Sequence, residues 1–246
     1  VASRVALVTG ASRGLGRIIA LDLAAHGWTV GVHGRDTSAV AAVAAEIEAA
    51  GGRAGRFTAD LGDPSSGPAH LHAEVAAHLG PVDLLVNNAA DQTLAPLAEA
   101  SVEYWMRMMA VDLVSAVELT RLVVAAHPDR SRLSVVNVAS VEALVPFPNH
   151  AAYAAAKAAL LSFTAAAAVE YAPARVNAVA PGLVERDGLA QAWPDGYAWW
   201  CSTSPAGRPV HAHEVADAVR LLAESTGVSG TNLPVDGGWS ASARQI

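Results

Sequence analysis

The chain has 246 residues, 52% of them hydrophobic and 16% charged, with a formal net charge of -7. That is enough apolar material for a core covered on both faces, which excludes a disordered chain. Scattered arginines on a negative balance exclude an electrostatic footprint for nucleic acid or anionic membrane. One cysteine, Cys201, fits a reducing compartment and no internal disulfide. The first strand begins almost at once, leaving no room for a secretory signal, and the longest apolar stretch, 151–169, is broken by Lys157, Ser162 and Thr164. A cytoplasmic protein without a membrane span is expected.

An apolar run at 5–8 reads as a buried strand and leads into Thr9-Gly10-Ala11-Ser12-Arg13-Gly14-Leu15-Gly16. Leu15, Ile18, Ile19, Leu21, Leu23 and Ala24 then follow with helical spacing. Strand, glycine turn and helix in that order gather free backbone N–H groups and the positive end of a helix dipole, which suits a phosphate or pyrophosphate. Gly10 lets the chain turn, Gly14 lets backbone approach a ligand, and Gly16 lets helix pack closely on strand. The spacing is not that of the common dinucleotide fingerprint, and no Gly-Lys-Ser/Thr follows as in a triphosphate loop. On this stretch alone, a tight turn that binds nothing stays open.

Further strands are predicted at 28–33, 56–58, 82–86, 134–138, 175–178 and 232–235, and helices at 38–50, 69–79, 102–126, 151–171 and 213–224. The alternation predicts an α/β fold: a single Rossmann-type domain over 1–246, its doubly wound parallel sheet of about seven strands flanked by helices on both faces. Only 180–211 lacks a sustained period. Its Trp193, Tyr197, Trp199 and Trp200 argue against plain disorder, and a substrate lid at about 183–211 is expected.

In such a fold the end of the second strand meets the adenosine ribose, where an acidic side chain suits a 2'-hydroxyl and a basic one a 2'-phosphate. Here the strand ends His33-Gly34-Arg35. Arg35 and Arg13 would clamp a phosphate between two guanidinium groups, favouring NADP(H) over NAD(H) unless Asp36 swings inward.

Tyr153 and Lys157 share one helix face, a turn apart, and Lys157 is the only lysine in the chain. An adjacent cation is expected to lower the phenol's pKa by roughly 1–3 units, making Tyr153 a usable proton donor. Ser140, just past the fifth strand, is placed to donate to a substrate carbonyl, although a serine there is otherwise an ordinary turn residue.

The glycine turn, Asp60, Asn87-Asn88-Ala89, Ser140, Tyr153 with Lys157, Pro181-Gly182 and the tail from Gly230 to Trp239 together resemble the short-chain dehydrogenases/reductases, most of all the 3-oxoacyl-carrier-protein reductase type. The resemblance spans nearly the whole chain. It implies that Asp60 and Leu61 face the adenine, that Asn87 to Ala89 support the central sheet and the cofactor, and that Lys157 binds the nicotinamide ribose. It further implies that Pro181, Gly182 and Val184 line the nicotinamide, and that the chain assembles as a homotetramer, or a dimer, through the helices near 102–126 and 151–171 and the last strand. The sequence departs from the family at Ala90, at Arg186 and, more seriously, at Asp112. There the family has an asparagine whose backbone carbonyl holds a proton-relay water: if the carbonyl is what matters, Asp112 serves as a catalytic residue in its place, and if its carboxylate is ionised it raises the Tyr153 pKa and opposes Lys157.

The family pattern places Asp91, Gln92, Glu142, His150, Glu185 and the lid aromatics around the substrate. So polar a set predicts a polar, amine- or hydroxyl-bearing cyclic substrate, as in secondary metabolism, held by carboxylates and stacked on Trp193, Trp199 or Trp200. The alternative is that several of these side chains point to solvent. His70, His72, His78, His211 and His213 read as solvated helix positions, and no metal is expected. The function expected is NADPH-dependent reduction of a carbonyl. Imine reduction, epimerisation or dehydration on the same fold, or NADPH binding without turnover, are the alternatives.

Overall fold

The computed structural model describes residues 4–242, so 1–3 and 243–246 of the expected 1–246 unit lie outside the described residues. Seven strands, β1 (Val5–Val8), β2 (Thr29–Gly34), β3 (Arg53–Thr58), β4 (Leu84–Asn87), β5 (Ser134–Val138), β6 (Arg175–Pro181) and β7 (Asn232–Val235), form one sheet in the order β3-β2-β1-β4-β5-β6-β7. Every pairing is parallel, so each strand but the last is followed by a crossover. The strand order reverses where β1 and β4 lie side by side, and sheets of this kind bind ligands beyond the carboxyl ends of the strands at that point.

The helices are α1 (Gly14–Ala25), α2 (Thr37–Ala49), α3 (Gly67–Leu79), α4 (Val102–Met109), α5 (Ser115–Ala126), α6 (Ala151–Glu170), α7 (Leu189–Ala192), α8 (Pro194–Thr203), α9 (Ala212–Glu224) and α10 (Trp239–Ser242). Strand side chains alternate between the two faces of the sheet. Ala6, Val8, Val30, Val32, Leu84 and Val86 meet Ile19, Leu23, Val43, Ile47, Val215 and Val219 of α1, α2 and α9. Val5, Leu7, Leu85, Val135 and Val176 meet Leu71, Val75, Leu119, Val123 and Ala167 of α3, α5 and α6. Each such valine or leucine contributes about 1.5–3 kcal/mol when fully buried, so the sheet is fixed from both sides.

Strands β5 and β7 lie where the pattern places them, whereas β3 and β6 are longer than expected. β3 begins at Arg53 rather than 56, because an edge strand that leaves Arg53 and Arg56 in solvent shows no apolar alternation. β6 continues past 178 to Pro181, with all seven residues buried, since a missing N–H is tolerated at a strand end. The helix expected at 102–126 is interrupted by a wide π turn, Ala110–Val114, which carries Asp112. Within 180–211 the structure adds α7 and α8, the latter opening on Pro194 at its first position. By length and a mean hydropathy of 1.4, α6 would suffice to cross a membrane; in the fold it lies on β6 with Tyr153, Lys157 and Leu160 buried.

Candidate active site

The turn beyond β1 needs its glycines. Gly10 and Gly14 have φ of 64° and 56°, a region that L side chains rarely adopt. A Cβ on Gly10 would stand 2.9 Å from the Ala89 Cα, and one on Gly16 would collide with the Gly10 carbonyl, whereas Gly14 faces open space. Asn88 Nδ2 donates to the Thr9 and Gly10 carbonyls at 2.8 and 3.3 Å, while Thr9 Oγ1 accepts from the Asn88 and Ala89 N–H groups at 2.9 and 3.0 Å. His33, at the end of β2, is a further support: its Nδ1 accepts from Gly10 N at 3.3 Å and its Nε2 donates to the Ala59 carbonyl at 3.1 Å. Burial lowers the His33 pKa from 6.5 to about 4, so the ring is neutral and free to accept at Nδ1. A braced concave strip of backbone, open over Gly14 at the start of α1, fits a pyrophosphate.

At the ribose end, Ser12 lies against Gly34, where a Cβ would come within 2.8 Å of its side chain. Arg13 and Arg35 therefore flank one contact, and both are exposed. Asp36 does not swing inward. Its Oδ1 accepts from Ser38 N and Ala39 N at 2.8 and 3.1 Å, capping α2, and bonds from Ser38 and Ala39 hold its pKa low. The acceptor that a pair of ribose hydroxyls would use is thus engaged elsewhere, beside two cations suited to a phosphate.

Tyr153 and Lys157 are buried a turn apart on α6. Lys157 Nζ stands 5.5 Å from the centre of the Tyr153 ring and donates to the Val138 carbonyl at 3.1 Å. It is also 3.2 Å from Asp112 Oδ1, an ion-pair distance without hydrogen-bond alignment. The other oxygen, Asp112 Oδ2, accepts from Asp91 N at 2.9 Å. Burial pushes the Asp112 carboxyl up, against the pull of Lys157. Ser140 Oγ accepts from Glu142 N at 3.1 Å, which leaves its own hydrogen to donate, and the short turn Val141–Ala143 that follows packs on α6.

The expected lowering of the Tyr153 pKa is reversed. Burial raises it and outweighs Lys157, and the charges of Asp112 and Glu142 push the same way, with a hydrogen bond from Gln92 opposing them. Tyr153 is therefore a phenol in the neutral range, keeping its proton until negative charge develops beside it.

Residues 4–196 match the family described as short chain dehydrogenase. The chain belongs to the short-chain dehydrogenase family. It is 37% identical over 245 residues to cis-4-hydroxycyclohexanecarboxylate dehydrogenase of Sinomonas cyclohexanicum, covering 98% of each chain. It is 36% identical over 240 residues to the 3-oxoacyl-[acyl-carrier-protein] reductase of Escherichia coli (strain K12), covering 96% of each. Among solved structures, a gluconate 5-dehydrogenase from Burkholderia cenocepacia J2315, in complex with NADP and tartrate, superimposes with a TM-score of 0.88 at 30% identity, covering 98% of this chain and 96% of that one. The matches run along nearly the whole chain, which is an enzyme of this oxidoreductase family.

In this short-chain dehydrogenase several expected contacts are engaged within the protein. Asn87 supports the sheet, but its amide turns inward to Thr120 Oγ1 at 3.1 Å and Asn137 Oδ1 at 2.8 Å, and Asn137 Nδ2 reaches Thr164 Oγ1 at 2.9 Å. That side chain is unavailable to a cofactor. Leu61 is buried in the core, and the exposed Asp60 accepts from Gly62 N at 2.9 Å. Just past the end of β6, Gly182 approaches the α8 helix so closely that a Cβ on it would lie 2.6 Å from Trp200. Val184 bridges to Val210, and the exposed Arg186 lies on an open cleft of about 510 Å³ shared with Ile18, Leu189 and His211.

The carboxylates expected to hold an amine already accept hydrogen bonds within the protein. Asp91 accepts from Arg107 Nε at 2.8 Å and from Thr93, Glu142 meets His150 Nδ1 at 2.9 Å, and Glu185 accepts from the Tyr197 hydroxyl at 2.9 Å. Arg107 offsets the charge of Asp91, whereas Glu185, bonded by a neutral phenol, keeps its charge on the cleft. Trp200 is likewise not a stacking platform: 1% exposed, it stacks on Trp239 at 4.9 Å. Trp193 and Trp199 remain 46% and 44% exposed. Among the described residues no group of three or more His, Cys, Asp or Glu converges on a metal position. The sequence reading missed His33 and Arg107, because their partners, Gly10 and Asp91, lie 23 and 16 residues away.

Proposed function

We propose that this short-chain dehydrogenase uses NADP(H) to reduce a ketone or aldehyde of a small, polar or cyclic substrate to the alcohol. The observation that carries the reading is the convergence of Tyr153 and the only lysine at the strand ends, beside a glycine turn braced for pyrophosphate and two exposed arginines. Gly10, Ser12, Arg13, Gly14, Leu15 and Gly16 would hold the pyrophosphate end of the cofactor, with Arg13 and Arg35 on the 2'-phosphate. Asp60 and Ala89 would border the adenosine half, with Leu61 packed in the core behind them, and Lys157, Pro181, Gly182 and Val184 the nicotinamide half. When bound, NADPH supplies hydride to the carbonyl carbon.

Ser140 donates a hydrogen bond to the substrate oxygen and polarises the carbonyl. Tyr153 transfers its proton to that oxygen as negative charge builds, and Lys157 then stabilises the phenolate left behind. Asp112 fixes the Lys157 ammonium and tempers its field. Residues 183–211 act as a lid, hinged at the Val184–Val210 bridge. Exposed Val102, Met106 and Val114 are in keeping with assembly of copies along α4 and α5, and a lone Cys201 with a reducing, cytoplasmic setting. The NADP complex of the gluconate 5-dehydrogenase and the cyclic substrate named for the Sinomonas relative support cofactor and substrate class. Tyr153→Phe is the test. Loss of at least about 100-fold in kcat with NADPH binding retained is expected, and full activity would overturn the mechanism.

A further inference from the structure

The arginines of this chain divide by whether they have a partner. Among the described residues, eight stand at ion-pair distance from a carboxylate, and Arg130 and Arg175 donate to backbone carbonyls. The guanidinium groups left there without a protein partner are those of Arg13, Arg35, Arg53 and Arg186. Arg53 opens β3 at the amino end of the sheet, whereas the other three follow the carboxyl ends of β1, β2 and β6, where such sheets bind ligands. Arg13 and Arg35 flank the ribose end of the cofactor strip, and Arg186 stands apart from them on the lid, just past the Val184–Val210 bridge. Its backbone N–H donates to Glu185 Oε1 at 3.2 Å and its carbonyl accepts from Leu189 N at 3.0 Å, so the backbone is tied while the side chain is exposed. The open cleft of about 510 Å³ that it lines is shared with Ile18 of α1 and with His211, the N-cap of α9. Both helices cover the face of the sheet opposite α6, the helix of Tyr153. Ile18 lies one turn, about 6 Å, along α1 from the open strip over Gly14.

We propose that Arg186 is the lid's cation for the pyrophosphate of the cofactor: the lid closes by carrying this guanidinium over the strip at Gly14, so that order in the lid follows occupancy of the glycine turn. This rests on the reading of that turn as an NADP(H) site. A pyrophosphate seated on backbone N–H groups leaves oxygens facing outward, and the planar fork of a guanidinium matches two of them at once. The three unpartnered cations beyond the strands then divide between the two phosphate groups of NADP(H), Arg13 and Arg35 on the 2'-phosphate and Arg186 on the pyrophosphate. Glu185 and Asp187 line the same cleft, Glu185 bonded to the Tyr197 hydroxyl, so Arg186 is the permanent cation there and its removal leaves a surface that repels phosphate. The position of the cleft on the α1 and α9 face, away from Tyr153, favours the cofactor over a substrate anion as the occupant.

Calorimetric titration tests this independently of turnover. The probes are NADPH, 2'-phospho-ADP-ribose, which has both phosphate groups but no nicotinamide, and adenosine 2'-monophosphate, which lacks the pyrophosphate. In Arg186→Gln the first two are expected to bind tenfold or more weakly and the third within twofold of wild type, which also checks that the variant is folded. Arg186→Lys, which keeps the charge but not the fork, should recover part of the loss, and Arg35→Ala should weaken all three. Hydrogen exchange over 186–203 should slow when 2'-phospho-ADP-ribose is added to wild type and stay unchanged in Arg186→Gln. Affinities for NADPH and 2'-phospho-ADP-ribose within twofold of wild type in Arg186→Gln, or equal slowing of exchange in both proteins, overturn the proposal. An equal loss for adenosine 2'-monophosphate would move the guanidinium to the 2'-phosphate, and a loss confined to 4-hydroxycyclohexanecarboxylate would move it to the substrate; each overturns the proposal. Wild type that binds none of the three nucleotides would instead overturn the reading of the glycine turn, and the proposal with it.

Discussion

Asp112→Asn removes one buried negative charge while keeping the side chain's shape and an acceptor for the Asp91 N–H. Oδ1 lies 3.2 Å from Lys157 Nζ, which lies 5.5 Å from the centre of the Tyr153 ring, so the charge is no farther from that ring than the sum, 8.7 Å. At that separation and an effective dielectric of about 20, it opposes a phenolate by about 2 kcal/mol. Its removal favours the phenolate, since Asp112 is among the groups that push the Tyr153 pKa up. Alcohol oxidation needs the phenolate as base, so its kcat/KM should rise more than about tenfold on the acidic limb of the pH profile, and that limb should move to lower pH. Reduction needs the phenol, so its alkaline decline should also begin at lower pH. Initial rates in both directions across the neutral and alkaline range measure this. Profiles that superimpose on wild type, in a variant that still binds NADPH, would refute the electrostatic account of Tyr153.

Arg35→Ala should raise the KM for NADPH by roughly 10–100-fold, the worth of a charged hydrogen bond, and leave that for NADH within about twofold; equal effects on both cofactors would remove the phosphate assignment. His33 takes up its proton at about pH 4 when folded, against 6.5 when free, so the unfolded chain binds more protons between those values. Its contribution is complete above about pH 6.5 and lost as the pH falls toward 4, amounting to roughly 3 kcal/mol in all, and urea midpoints should show this dependence flattened in His33→Gln. Trp200→Ala opens a cavity against Gly182 and Trp239 and should cost about 3–5 kcal/mol, seen as faster hydrogen exchange over α8; unchanged exchange would mean that the lid is held elsewhere.

Where an element is bounded by its own chemistry, the sequence is sufficient: β5 and β7 are apolar runs between turns, and the glycine turn announces itself. The first half of β3 is hidden because Arg53 and Arg56 belong to an edge, and the last turn of β6 because Pro181 reads as a breaker. At the candidate site, the spacing of Tyr153 and Lys157 was legible, and with it the cation. The desolvation around them was not, nor was the position of Glu142, because burial depends on segments far away in sequence. The same holds for Asp91, whose residue type suggested an anion for a ligand but whose partner, Arg107, offsets it.

Thr120, Asn87, Asn137 and Thr164 run from α5 through β4 and β5 to α6 as one chain of hydrogen bonds. Sliding α6 along its axis by a single residue would swing Thr164 through about 100° and strand the Asn137 amide without a partner. The helix thus has one indexed setting, like a shaft held by a pin. Tyr153 and Lys157 inherit their heights above the strand ends from that pin, eleven and seven residues away along the same shaft.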